Sequence, residues 1–131
     1  MTHSSCELER NYQRKVLLAE DSRVNQLLTK KYLVNLGIDV TIVENGRDAV
    51  NTVTDTSFHL ILMDLEMPIQ NGIDATLEIR GKQLSKAPII ALTAHNDAET
   101  RKRCKLSKMN GYLIKPINKE KLIAELDKFF S

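Results

Sequence analysis

The sequence predicts an α/β domain: a doubly wound, five-stranded parallel sheet in strand order 2-1-3-4-5, flanked by five helices. Three observations carry this. Short apolar runs without polar alternation recur along the chain, as in Val16-Leu17-Leu18-Ala19, Leu60-Ile61-Leu62-Met63 and Ile89-Ile90-Ala91-Leu92. Such runs suit strands buried on both faces of a parallel sheet. Segments of helical apolar spacing separate them, and that alternation implies parallel pairing with right-handed crossovers. Five strand–helix units follow one another without an internal linker, and for five units this order is common, with its switch point between strands 1 and 3.

Taken in order, residues 1–13 are polar and aperiodic and read as a disordered tail or linker, leaving 14–131 as the domain. His3 in that stretch has no neighbour of its own chemistry. Val16 to Ala19 is the first strand and ends at Glu20-Asp21-Ser22. Ser22 or Asp21 suits the cap of the next helix, and Val24, Leu27 and Leu28 at i, i+3 and i+4 give that helix an expected core face. Leu36-Gly37 closes it, glycine being suited to the left-handed position past a helix end. Asp39 to Val43 is the β-branched second strand. Asn45-Gly46 turns the chain, and Ala49, Val50 and Val53 mark a short helix. His59, before the third strand, has no His or Cys at ligand spacing and reads as a linker residue.

Asn71-Gly72 is a turn signal, and Ile73 and Leu77 open a third helix that ends near Arg80-Gly81. Pro88 stands at the first residue of the fourth strand, where proline is tolerated. A fourth helix, about Ala98 to Leu106, has little apolar surface and carries Arg101-Lys102-Arg103-Cys104-Lys105. That run reads as a solvated face, or as a docking site for an acidic partner or neighbouring domain. Tyr112-Leu113-Ile114 is the fifth strand, and Leu122, Leu126, Phe129 and Phe130 give the last helix its core face.

Composition excludes several functions. A formal charge of +2 is too small to argue for nucleic-acid or membrane binding. No apolar run approaches the roughly 20 residues of a membrane span, and no basic-then-apolar leader is visible. Two cysteines, Cys6 and Cys104, suggest neither a disulfide framework nor a metal site, and a cytoplasmic setting is expected.

The strand order gives these residues a chemistry. It brings the carboxyl ends of strands 1 and 3 to roughly 5 Å from each other, so Asp64 faces Asp21 across the switch-point crevice, with Glu20 beside them. Carboxylates this close raise each other's pKa unless a cation relieves them, and Mg²⁺ suits a site of few carboxylates completed by water and phosphate. On the other side, strands 4 and 5 end at Thr93 and Lys115, a hydroxyl and a fixed cation that suit an anion. A nucleophile, a metal site and an oxyanion site at one mouth suit phosphoryl transfer to a carboxylate. Each part alone has a plainer reading: Glu20-Asp21 as a helix cap, Asp64 and Thr93 as strand ends, Lys115-Pro116 as a solvated turn. Their joint occurrence at strand carboxyl ends favours the chemical reading.

Leu17-Leu18-Ala19-Glu20-Asp21-Ser22, Asp64 with Met67-Pro68, Thr93-Ala94 and Tyr112-Leu113-Ile114-Lys115-Pro116 resemble the response-regulator receiver domain of two-component signalling, over about Val16 to Phe130. The wording is most similar to receivers of hybrid sensor histidine kinases. The resemblance implies a flavodoxin-like fold and an Asp64 that accepts a phosphoryl group from a phosphohistidine, on a sensor histidine kinase or a histidine-phosphotransfer domain. The chain is then either a single-domain regulator or a receiver excised from a hybrid kinase, in which case neighbouring kinase domains of the same parent protein are a further implied partner. The resemblance implies Mg²⁺ held by Asp21, Asp64 and the Glu66 backbone carbonyl, with Glu20 acting through metal-bound water. Lys115 and Thr93 would bind phosphoryl oxygens, with the Ala94 N–H as a further donor. Thr93 and Tyr112 would form the switch that biases the face of helix 4, strand 5 and helix 5. No turnover of an external metabolite is implied.

The chain departs from the commonest pattern at Ser107-Lys108-Met109, where a small Ala-Gly pair often precedes the methionine, at Gly111, where an acid is frequent, and at Ile69-Gln70-Asn71-Gly72, which lacks a common Asp. Glu66 and His95 stand where such receivers tune phosphoryl lifetime. Two other readings are a phosphorylation-independent binding module and a small aspartyl-phosphate hydrolase. Hydrolases of that kind place an Asp two positions after the nucleophile, where this chain has Glu66.

Overall fold

The computed structural model describes residues 11–130. In chain order the elements are β1 (Lys15–Ala19), α1 (Arg23–Asn35), β2 (Asp39–Val43), α2 (Gly46–Asp55), β3 (Leu60–Asp64), α3 (Gly72–Gly81), β4 (Ile89–Thr93), α4 (Ala98–Leu106), β5 (Gly111–Ile114) and α5 (Lys119–Phe130). All strand pairs are parallel and the order is β2-β1-β3-β4-β5, as expected. Pro88 falls one residue before β4, and its carbonyl accepts from Ile61 N–H at 2.8 Å.

The period of two along each strand divides the core. Leu17, Ala19, Ile61, Met63, Ile89 and Ala91 pack with α2, α3 and α4. Val16, Leu18, Leu60, Leu62, Ile90, Leu92 and Leu113 pack with α1 and α5. At about 1.5–3 kcal/mol for each fully buried aliphatic side chain, these two layers hold the sheet in register. The helices share in this unequally. α5 buries Leu122, Leu126 and Phe130, whereas α4 buries only Cys104 and leaves Leu106 70% exposed. α4 is therefore the most weakly anchored helix.

Local caps follow the sequence. Ser22 Oγ accepts from Asn25 N–H, and Asn45 and Asn71 cap α2 and α3 through Asp48 N–H and Asp74 N–H. Gly37 takes φ +77° past the end of α1, as expected.

Two expectations are corrected. The buried row of α1 is Gln26, Thr29 and Leu33, whereas Val24 and Leu27 are 75% and 58% exposed and Leu28 is half-buried. The helix is rotated because Gln26 Nε2 donates to the Glu20 carbonyl at 2.6 Å, so a satisfied polar side chain turns inward. In α3, Ala75, Thr76 and Ile79 are buried and Leu77 is exposed; small residues let the helix approach the sheet.

Of the N-terminal stretch, residues 1–10, with His3 and Cys6, lie outside the described residues. Tyr12 does pack: its N–H donates to Leu36 O at 3.0 Å, its hydroxyl to Asp127, and its ring lies 5.4 Å from that of Phe130. No helix among the described residues is long and apolar enough to cross a membrane.

Candidate functional site

The site forms where the strands end. In the register of β1 against β3, Ala19 pairs with Met63, so Glu20 and Asp21 leave β1 beside Asp64, the last residue of β3. Thr93 ends β4, and its carbonyl accepts from Lys115 N–H at 2.8 Å, which starts Lys115 at the same mouth. The Lys115–Pro116 peptide is cis.

Asp64 is only 3% exposed. Its Oδ2 lies 2.8 Å from Lys115 Nζ, and its Oδ1 accepts from Glu66 N–H at 3.1 Å. Lys115 Nζ is also 3.1 Å from Glu20 Oε1. Glu20 is buried, and its Oε2 accepts from Ser22 N–H at 3.1 Å. One carboxylate oxygen each from Glu20, Asp21 and Asp64 lie within 4.8 Å of one another. Asp21 is the exposed member, so the cluster opens to solvent on one side.

The charges are unbalanced. Burial, reinforced by Asp64 alongside, pushes the Glu20 carboxyl up to about 7, although Ser22 N–H and Lys115 pull the other way. Burial alone would lower the Lys115 ammonium, but its bonds to Asp64 and Glu20 outweigh this and raise it. One cation among three acids leaves the mouth short of positive charge. The donor set, hard oxygens with an open side, matches a hard divalent cation that keeps several waters.

Four expected residues, Glu20, Asp21, Asp64 and Lys115, thus converge directly. Through its hydroxyl, Thr93 is engaged with His95 rather than with Asp64. Its Oγ1 accepts from His95 N–H at 3.0 Å, and it lines a cleft of about 560 Å³ with Asp21, Glu66, Met67, His95, Thr100 and Arg103. The Glu66 side chain stands outside the acid cluster, with Oε2 3.8 Å from His95 Nε2. Ala94 is exposed in the loop after β4. Tyr112 is half-buried, and the Arg101 guanidinium lies 5.0 Å from its ring centroid.

Sequence reasoning missed the residues that hold the loop after Asp64. Gln70 O accepts from Gly46 N–H at 2.8 Å, Gln70 Nε2 donates to Glu78 Oε1 at 3.0 Å, and Arg47 grips Glu78 with two nitrogens at 2.5 and 3.2 Å. Ile69, a β-branched residue at φ +69°, sits in that loop, 81% exposed. A β-branched side chain in the left-handed region is strained and needs such ties. Gly72 N–H donates to Leu65 O at 3.0 Å and closes the loop. The Asn-Gly dipeptides pointed to turns here, but no periodic signal joins Arg47 to Glu78 across 31 positions.

Residues 16–127 match the model of the response regulator receiver domain. The sensor protein GacS of Pseudomonas syringae is 40% identical over 112 residues, 82% of this chain and 12% of its own length. A hybrid signal transduction histidine kinase of Dictyostelium discoideum is 37% identical, over 86% of this chain and 7% of its own length. The chain therefore spans only a small part of these relatives. Among solved structures, the receiver domain of the sensor histidine kinase PA1611 from Pseudomonas aeruginosa, with magnesium coordinated in its active-site cleft, superposes with a TM-score of 0.81 at 36% identity, covering 89% of this chain and 97% of that one. The receiver domain of the Saccharomyces cerevisiae response regulator Ssk1, co-crystallised with the histidine phosphotransfer protein Ypd1, gives 0.84 at 33% identity, covering 88% of each chain. In sequence and in strand order, the chain belongs to the response regulator receiver domain family of two-component signalling.

Proposed function

We propose that this domain accepts a phosphoryl group from a phosphohistidine onto Asp64 and thereby switches a protein-binding face. The observation that carries the proposal is the position of Asp64, with Lys115 Nζ at 2.8 Å on one side and the carboxylates of Glu20 and Asp21 on the other. A carboxylate between a fixed cation and a metal-ready acid cluster is arranged to take an anion.

An Asp64 carboxylate oxygen forms the new P–O bond as the P–N bond of the donor breaks. The departing imidazole nitrogen takes the electron pair of that bond and a proton from solvent water. Lys115 transfers its contact from Asp64 to a phosphoryl oxygen, and the Thr93 hydroxyl leaves His95 N–H to donate to another. The Ala94 N–H is a further donor. Asp21, Asp64 and the Glu66 carbonyl would hold Mg²⁺, with Glu20 bound through its water shell. Such an ion supplies charge neutralisation for the transferring phosphoryl group. Tyr112 turns inward as Thr93 moves, which biases the surface of α4, β5 and α5.

The donor is a histidine-phosphotransfer domain or a kinase histidine. α1 leaves Val24, Leu27 and Val34 exposed on one side, directly after the acids of the site. That apolar row, with Ile69 at the loop, suits the helical face of such a donor. The domain turns over no external metabolite, acts on its own aspartyl phosphate alone, and belongs with neighbouring kinase domains in a cytoplasmic relay. The hydrolase reading is not favoured: the Glu66 side chain, two positions after Asp64, is turned toward His95.

Exposure to acetyl phosphate and Mg²⁺ tests the assignment. Intact mass should rise by one phosphoryl group in the native chain and stay unchanged in Asp64→Asn. Equal labelling of both chains would reject it.

A further inference from the structure

Arg101 occupies a position between the two parts of the proposed switch. Its Nε lies 3.1 Å from Asn96 Oδ1, and Nη2 bonds the same oxygen. Its Cζ lies 5.0 Å above the Tyr112 ring. Asn96 belongs to the loop that leaves Thr93, three residues on, and Thr93 Oγ1 is held in that loop by His95 N–H. One guanidinium thus touches both the loop that carries Thr93 and the ring that must follow it. We propose that Arg101 is a positioning residue that braces the resting state of the switch, by fixing the Thr93 loop through Asn96 and covering the Tyr112 ring.

The rest of α4 makes this brace matter. The helix buries only Cys104, so little apolar packing fixes it. No acidic side chain among the described residues pairs with Arg101, so the guanidinium's partners are the Asn96 amide oxygen and the aromatic face. A planar guanidinium suits both at once, because its edge donates while its face stacks. When the Thr93 hydroxyl leaves His95 N–H, the loop bearing Asn96 shifts, and Arg101 loses its edge contact as Tyr112 loses its cover. An exposed cation–aromatic contact biases such an equilibrium by about two- to fivefold, enough to tune a switch without locking it.

The inference rests on the switch reading of Thr93 and Tyr112, and its test separates the two. The chain has three tyrosines, so 3-fluorotyrosine labelling gives three ¹⁹F signals, with Tyr112 identified by its loss in Tyr112→Phe. Spectra are taken with Mg²⁺ alone and with Mg²⁺ and beryllofluoride, a phosphoryl mimic. The native Tyr112 signal should move on adding the mimic. In Arg101→Ala it should lie part-way along that path before any mimic is added, and phosphorylation by acetyl phosphate should be about two- to fivefold faster. Arg101→Lys should fall between, keeping the charge and losing the planar fork. Asn96→Ala combined with Arg101→Ala should add little to Arg101→Ala alone. If the native signal responds but Arg101→Ala coincides with it in both states, the brace is refuted while the switch stands. If the native signal never responds, the switch reading itself falls, and the brace with it.

Discussion

Gly72 lies so close to Asp64 that a Cβ at residue 72 would stand 2.1 Å from the Asp64 carbonyl oxygen. The neighbour is backbone of Asp64, the proposed acceptor, so it cannot swing aside as a side chain would. Gly72→Ala should therefore push the start of α3 away from β3 and cost about 2–4 kcal/mol in urea unfolding. The Gly72 N–H to Leu65 O bond would stretch with it and loosen the loop that carries Glu66. Labelling by acetyl phosphate should slow even under conditions where the variant is fully folded. A variant of native stability would show that the close approach is not needed.

Glu20 contributes a distinct pH dependence to the metal-free domain. Its carboxyl is pushed up to about 7 by burial and by Asp64, whereas the unfolded chain has an ordinary value of 4.5. The folded state thus binds this proton more tightly than the unfolded one. That contribution is complete below about pH 4.5 and is lost as pH rises through 7. Measured against Glu20→Gln without divalent ions, the native domain should lose relative stability between pH 5 and pH 8. At the proposed Mg²⁺ site the ion displaces the same proton, so its apparent affinity should climb with pH and level off above about 7, and saturating Mg²⁺ should restore the stability lost at pH 8. Parallel stability profiles for the two chains would contradict the assignment.

The sheet and the acid–lysine arrangement were legible because they rest on local signals that topology then assembles. Each strand is a short apolar run, and each candidate residue stands at the end of one, so the order alone brings Asp21 and Asp64 together. The orientation of α1 was not legible. Leu27 and Leu28 carry the apolar signal, yet the inward turn is decided by a hydrogen bond from Gln26 to the Glu20 carbonyl, a tertiary fact. The ties of the loop after Asp64 were hidden for the same reason. Arg47, Gln70 and Glu78 sit on three different segments, and nothing in their spacing announces that they meet.

Lys108 explains one departure from the family pattern. It takes φ +70° at the end of α4, a conformation that glycine adopts freely and lysine does not. Ser107 before it is buried, with its Oγ donating to Cys104 O at 2.8 Å, so the turn keeps the shape that a small pair would give it. The Lys108 carbonyl accepts from Arg80 Nε at 3.2 Å, a contact any residue there can make. Lys108→Gly should keep that contact and relieve the strain, gaining from a few tenths to about 1 kcal/mol after the greater freedom of glycine in the unfolded chain is counted. Thermal unfolding should show a higher midpoint; a lower one would mean that the side chain makes a stabilising contact of its own.

Leu27 separates recognition of a protein donor from the chemistry of transfer. It is exposed on α1 and belongs neither to the core nor to the acid cluster. If the row of Val24, Leu27 and Val34 seats a histidine-phosphotransfer domain, an acid at its centre must be desolvated against the partner's apolar face. Leu27→Glu should then slow phosphoryl transfer from a phosphorylated phosphotransfer domain by about tenfold or more. Labelling by acetyl phosphate, which needs only the mouth of the sheet, should stay within about twofold of the native rate. The loss should appear in the concentration of donor needed rather than in the rate at saturation, because docking is weakened while Asp64, Lys115 and the acids are untouched. Equal loss with both donors would place the effect in the fold and remove α1 from the docking surface.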